Sequence, residues 1–287
     1  MWVVCAFVSP LATGATNPVA VSSSIAPSNT VAALTNPDTI FDEANSFFTQ
    51  YKQAARQVRE RRTAEAGLTM SLLVRSLKHS PWMEIAVLKQ SELVEISNEQ
   101  VAMGNYTLLQ QRLVNSPYFQ TNTDKARLLA VALQGAIRGG INRIRARRIR
   151  EGLDRYFLRY HEYPESLAKL AILGYTDMEN IHTADNKGFR YVPTGQQLSP
   201  FLSYKRYEGL ETPSPEPFLV AAPRLEGTTR VSDDPLKYAG LMRTSNQREL
   251  VRIVEDQNVG GFIVLSVAPK GVILCNDQRI LVLLPAD

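Results

Sequence analysis

One apolar stripe limits the fold more than any other feature. From the Thr123–Asp124 pair onward, Leu128, Leu129, Val131, Leu133, Ile137, Ile141, Ile144, Ile149, Leu153 and Phe157 recur at the three-to-four spacing of an amphipathic helix. Thr123 and Asp124 supply its cap. Tyr163-Pro164 is expected to end it, because proline cannot continue a helix. A helix this long must be covered by neighbours along much of its length. Gly139 and Gly140 fall inside it. Each costs about 1 kcal/mol relative to alanine, so a break or kink is expected there.

Upstream, the pattern predicts shorter helices. Asp38-Thr39 precedes a stripe of Ile40, Phe41, Ala44, Phe47, Phe48 and Tyr51, and that helix is read as running through Arg62. A second covers Ala64 to Lys78, with Leu68, Leu72, Val74 and Leu77 inward. Ser80-Pro81 starts a third, facing inward through Trp82, Ile85, Ala86, Leu88, Leu93 and Ile96. Gly104-Asn105 is expected to break it. A short fourth helix then holds Tyr106, Leu109, Leu113 and Val114. Tight turns between such helices suggest antiparallel hairpins in a bundle.

After Pro164 the period changes. Strands are read at 189–192, 218–221, 250–254, 262–267, 272–274 and 280–284. Gly260-Gly261, Pro269-Lys270-Gly271 and Asn276-Asp277 serve as hairpin connections. Residues 199–247 are rich in proline and carry no clear pattern. The fold class is therefore α+β: an N-terminal helical bundle, then a long helix packed by its C-terminal part on a mainly antiparallel β-sheet.

The organisation expected is an export signal over residues 1–15, a flexible tether over 16–39, a helical domain over 40–120, and the long helix with a β-rich domain over 121–287. The export reading rests on the apolar run from Trp2 to Val8, followed by Thr13 and Ala15 at small-x-small spacing. It implies a periplasmic or extracellular location. The tether reading rests on residues 9–39, which are rich in Ser, Ala, Thr, Pro and Asn. No other stretch approaches the ~18–20 apolar residues that span a bilayer. Only Cys5 and Cys275 are present, which excludes a disulfide framework or a cysteine zinc site. Cys275 sits in an apolar run and reads as a small buried hydrophobe.

The loudest chemical feature is basic. Arg138, Arg143, Arg145, Arg147, Arg148, Arg150, Arg155 and Arg159 share the long helix, across from its isoleucines. Arg143, Arg145, Arg147, Arg148 and Arg150 are the candidate contacts for an anionic partner. The competing reading is a solvated face that meets acidic residues of the same chain. The net charge is only +4, and no aromatic residue interleaves the arginines from Arg138 to Arg150, which disfavours nucleic acid. Glu162, Glu165, Asp177 and Glu179 cluster in a loop region without a His, Ser or Cys in a recognisable arrangement. His161 reads as a packed helix-end residue. No phosphate-binding loop or nucleophile elbow occurs. The expectation is a protein without catalytic residues, metal or cofactor. A hydrolase with an unrecognised site, or a binder of nucleic acid or anionic surfaces through residues 138–159, are the alternatives.

One segment carries a resemblance. Ile149 to Leu170 contains Leu153, Tyr156, Tyr163-Pro164, Ser166 and Leu167. Leu173-Gly174-Tyr175, Asp185 through Gly188 to Tyr191, and Pro193-Thr194-Gly195 follow. Residues 149–195 resemble the globular part of major-type pseudopilins of type II secretion, with weaker similarity toward the C-terminus. The resemblance implies a long helix docked on an antiparallel sheet, and other envelope or secretion-system proteins as partners.

Overall fold

The computed structural model describes residues 37–77, 82–121, 123–192, 208–211, 223–231, 234–243 and 250–285. The export-signal reading, nearly all of the tether, the Ser80-Pro81 cap, the strand read at 218–221 and Pro193 to Gly195 lie outside them. The fold is α+β, with helices first and antiparallel sheets after.

α1 (Pro37–Arg59) begins at a proline, whose missing N–H costs nothing in the first turn. It therefore starts before Asp38 and stops before Arg61, which takes a positive φ of 62°. α2 (Thr63–Ser76) buries Ala66, Met70 and Leu73, and Leu77 follows at 2% exposure. Leu68 and Leu72, expected inside, are 62% and 56% exposed. The competing stripe of Ala66, Met70, Leu73 and Leu77 lies on another face of the same helix, and packing against α1 and α3 selects it.

α3 (Trp82–Val94) is buried on nearly all sides. α4 (Glu99–Asn115) runs straight through Gly104-Asn105. The break falls at residues 95–98 instead, because the Asn98 side chain accepts from the Val101 N–H and caps the new helix. A single turn, α5 (Pro117–Gln120), precedes α6 (Asp124–Tyr160).

α6 is unbroken. Gly140 is present for packing: a Cβ there would lie 2.2 Å from Tyr106 Cζ. At Gly135 it would lie 2.0 Å from the Asp277 carbonyl oxygen. The helix ends at Tyr160, ahead of Tyr163, because His161 turns left-handed at φ 56°. His161 is exposed, not packed, with its ring 6.5 Å from that of Phe157.

Three antiparallel sheets follow. β1 (Arg190–Val192) pairs with β2 (Glu208–Glu211). β3 (Arg224–Val231), β4 (Asp234–Arg243) and β5 (Val251–Ile253) form the second sheet. β3 and β4 were not foreseen: β3 is mostly polar with Leu225 its one fully buried residue, and in β4 Lys237 and Gly240 interrupt the apolar run. β6 (Asn258–Val259), β7 (Phe262–Ala268), β8 (Gly271–Cys275) and β9 (Ile280–Leu283) form the third, in that order.

The two larger sheets enclose one apolar cluster: Leu225, Met242 and Ile253 against Val264, Val267, Val272, Leu274 and Leu283. The opposite face of the third sheet, through Leu265, Ala268, Ile273, Cys275 and Ile280, joins the helical core. β8 is therefore buried along its whole length. Phe48 packs so closely on Gly271 that a Cβ there would sit 2.3 Å from its ring. Phe47, Phe48 and Trp82 form an aromatic knot with centroids 5.4–5.8 Å apart, each burial contributing roughly 1.5–3 kcal/mol. Helical residues and β residues share this one core, so the line drawn near residue 120 passes between elements that pack together.

The third sheet meets α6 toward its middle, at Gly135 and Ala136. The C-terminal end of α6 receives α7 (Leu167–Ile172), the 3-10 turn Met178–Ile181 and Phe189 beside β1. There Ile149, Leu153, Tyr156, Leu167 and Leu170 are buried together. The Tyr191 hydroxyl donates to the Pro164 carbonyl at 2.9 Å, tying the strand to the helix exit.

Candidate functional site

The α3–α4 corner decides where the arginines go. Val94 ends one helix and Glu99 starts the next, so Glu95 and Glu99 both face α6. Positions 143 and 147 are one turn apart on α6 and share a face. Glu95, 6% exposed, accepts Arg143 Nη2 at 2.9 Å and Arg147 Nη2 at 3.2 Å. The buried Tyr106 hydroxyl donates to it at 3.1 Å. Arg147 Nη1 also reaches the Glu95 carbonyl at 3.0 Å and Glu99 at 3.3 Å. Taking Glu95 out of water is costly, and three donors on one carboxylate offset that cost. Tyr106 is held above its ordinary pKa, first by burial and then by the negative charge of Glu95 and Glu92.

Two arginines serve the neighbouring loop. Arg145, its side chain 12% exposed, pairs with Glu179 and donates to the carbonyls of His182 and Thr183 at 3.1 and 3.0 Å. Arg148 bridges Glu99 and the Asn180 side chain. Asn142, also buried, accepts the Ala184 N–H at 2.8 Å. Arg143, Arg145, Arg147 and Arg148 thus meet carboxylates of their own chain. Arg150 is exposed, and its side chain has no partner among the described residues.

Beside this ladder lies a cleft of about 680 Å³ between α3, α6 and the β8–β9 hairpin. Five cationic side chains line it: Lys89, Arg143, Arg147, Arg150 and Arg279. Only Glu92 and Glu95 oppose them, and both are committed: Glu95 as above, Glu92 to Lys89 Nζ at 2.7 Å. Lys89 is buried, and it also donates to the Ile280 carbonyl. That bond caps a backbone acceptor on β9, the edge strand of its sheet, and so blunts the edge. Arg279, like Arg150, is exposed with no side-chain partner among the described residues.

The sequence reading therefore reached Arg143, Arg147 and Arg150 of the cleft, and missed Lys89, Arg279 and the two acids of the corner. A signal was available. Glu92, Glu95 and Glu99 repeat at three and four residues, and Arg143, Arg147 and Arg150 repeat at four and three. Complementary charge ladders of one helical period are the mark of facing helices.

The acidic loop residues do not converge. Glu179 is spent on Arg145, Asp177 accepts from Asn180 at 3.2 Å, and Glu165 lies 3.9 Å from Lys169. Among the described residues no group of three His, Cys, Asp or Glu could hold a metal ion, and no helix is long and apolar enough to cross a membrane.

Cys275 is fully buried, and burial alone pushes its thiol up to about 11. In a Cys5→Ser chain at pH 8, a disulfide-exchange reagent should titrate no thiol until denaturant is added. Rapid labelling of the native chain would contradict the position of β8.

The α+β class is defined by this fold, and a basic cleft beside an internal ion-pair ladder defines its candidate site. Compared with known proteins, the chain matches no family model, no curated sequence and no solved structure.

Proposed function

We propose that this chain is an exported structural or interaction protein, periplasmic or extracellular, whose working surface is the cleft between α3, α6 and the β8–β9 hairpin. The observation that carries the reading is the division of labour among its charges. Most arginines of α6 fix one element to another, and Arg150 and Arg279 are left at the open cleft. A recognition surface needs a rigid frame and a few uncommitted groups. A scaffold of a secretion or pilus system is the narrower form of the proposal. Its support is the pseudopilin-like segment, whose residues from Ile149 to Phe189 pack into one cluster.

The test is fractionation of cells that make the tagged chain, with a photo-crosslinking residue in place of Ile96 at the cleft. Ile96 is 88% exposed, so the replacement disturbs no core. The expected result is recovery from the envelope or medium, with a discrete heavier adduct on illumination. Cytosolic protein that crosslinks to nothing would overturn it.

A further inference from the structure

We infer that the cleft takes an acidic polypeptide segment carrying apolar side chains, an inference that rests on the interaction reading above. Charge sets the sign. Lys89, Arg143, Arg147, Arg150 and Arg279 face two carboxylates, both already engaged by internal donors. The uncommitted charge is therefore positive, and Arg150 and Arg279 hold it on two different walls.

Shape sets the kind of anion. Along α6 the lining runs from Ala136 through Gly139, Arg143 and Ala146 to Arg150. That is one helix face about 21 Å long at 1.5 Å per residue. An extended segment of about six residues covers the same distance. Gly139, half-buried and without a side chain, lets another backbone approach closely. At Gly139 even an added Cβ would meet only an Arg143 guanidinium nitrogen, at 3.5 Å. The exposed Ile96, with the half-buried Leu281, gives apolar footing between the charges.

The lining also argues against a nucleic acid. Single strands are held by a basic track and by aromatic faces on which bases stack. No aromatic residue lines this cleft. Its apolar surface is aliphatic, which suits leucine-like side chains better than bases or lipid headgroups. Charged and apolar contacts alternating along an extended segment give both register and affinity.

The experiment uses the full chain and fluorescence anisotropy. The probe is a labelled oligoglutamate with leucine at every third position. A matched glutamine peptide, an oligothymidylate and phosphatidylserine–phosphatidylcholine vesicles are the comparisons. The glutamate peptide should bind in a salt-dependent way, and the glutamine peptide should not. The Arg150→Glu, Arg279→Glu double variant should weaken binding at least about tenfold with an unchanged melting temperature, because neither arginine holds another element. Should the double reversal itself lower the melting temperature, the Arg150→Gln, Arg279→Gln pair replaces it, and a reduced salt dependence is then the expected result. Tighter binding of oligothymidylate or vesicles, glutamate-peptide binding indifferent to residues 150 and 279, or binding of no probe would each overturn the inference. If the peptide fails while crosslinking from position 96 still gives a discrete adduct, the inference falls and the interaction reading stands. If both fail, both fall.

Discussion

Gly139→Ala raises the melting temperature of the full chain, whereas Gly140→Ala and Gly135→Ala lower it. Replacing a mid-helix glycine by alanine ordinarily contributes about 1 kcal/mol, through propensity alone. At Gly139 nothing opposes that gain, since the nearest atom is a guanidinium nitrogen at 3.5 Å. At Gly140 the new methyl would lie 2.2 Å from Tyr106 Cζ. Tyr106 is fully buried and bonded to Glu95, so its ring cannot swing away. Overpacking of that kind costs about 1–3 kcal/mol and reverses the sign. Gly135→Ala should cost most. Its methyl would strike the Asp277 carbonyl, so the β8–β9 turn would have to move as a unit. Each kcal/mol is about 2–4 °C for a chain of this size. Thermal melts followed by circular dichroism decide the matter. A Gly140→Ala chain as stable as Gly139→Ala would mean that Tyr106 does not lie against α6.

Glu95→Ala should be the most damaging single change outside the apolar core, at about 3 kcal/mol. It strands two guanidinium groups and the Tyr106 hydroxyl. Losing one partner of a fully buried pair costs about 3–5 kcal/mol. The lower end applies because Arg143 keeps 48% of its side chain in solvent. Glu95→Gln should fall between, because it preserves shape and an acceptor for Tyr106. The decisive measurement is a double-mutant cycle between Glu95 and Arg147, read by urea unfolding. Coupling of about 1–2 kcal/mol is expected, whereas Arg150→Ala should change stability by no more than about 0.5 kcal/mol. Equal effects of Glu95→Ala and Arg150→Ala would dissolve the distinction between the ladder and the cleft rim.

What could be read in advance follows from which interactions are local. The long helix, its cap and the β7–β8–β9 meander declare themselves through period and turn chemistry, which neighbouring residues decide. Leu68 and Leu72 misled because α2 carries two apolar faces, and only α1 and α3 choose between them. Gly104-Asn105 and Gly139-Gly140 misled because propensity is a weak prior once a helix is packed on several sides. β3 stayed hidden because a polar strand needs only one buried face, supplied here by a sheet later in the chain, and β4 because Lys237 and Gly240 break up its apolar residues. The arginines were visible and their acids were not. Whether Arg147 meets solvent or Glu95 depends on how α3 turns into α4, a tertiary fact.

The bond between Lys89 and the Ile280 carbonyl spans 191 positions of chain. It bears on the order in which the protein is made. When α1 to α4 leave the ribosome, the sheet that closes their core has not been synthesised, and the Lys89 amine has no carbonyl to meet. β8 lies far downstream of these helices and is covered on both faces, so it completes two cores in one event. The helical core therefore cannot close before β8 has been made.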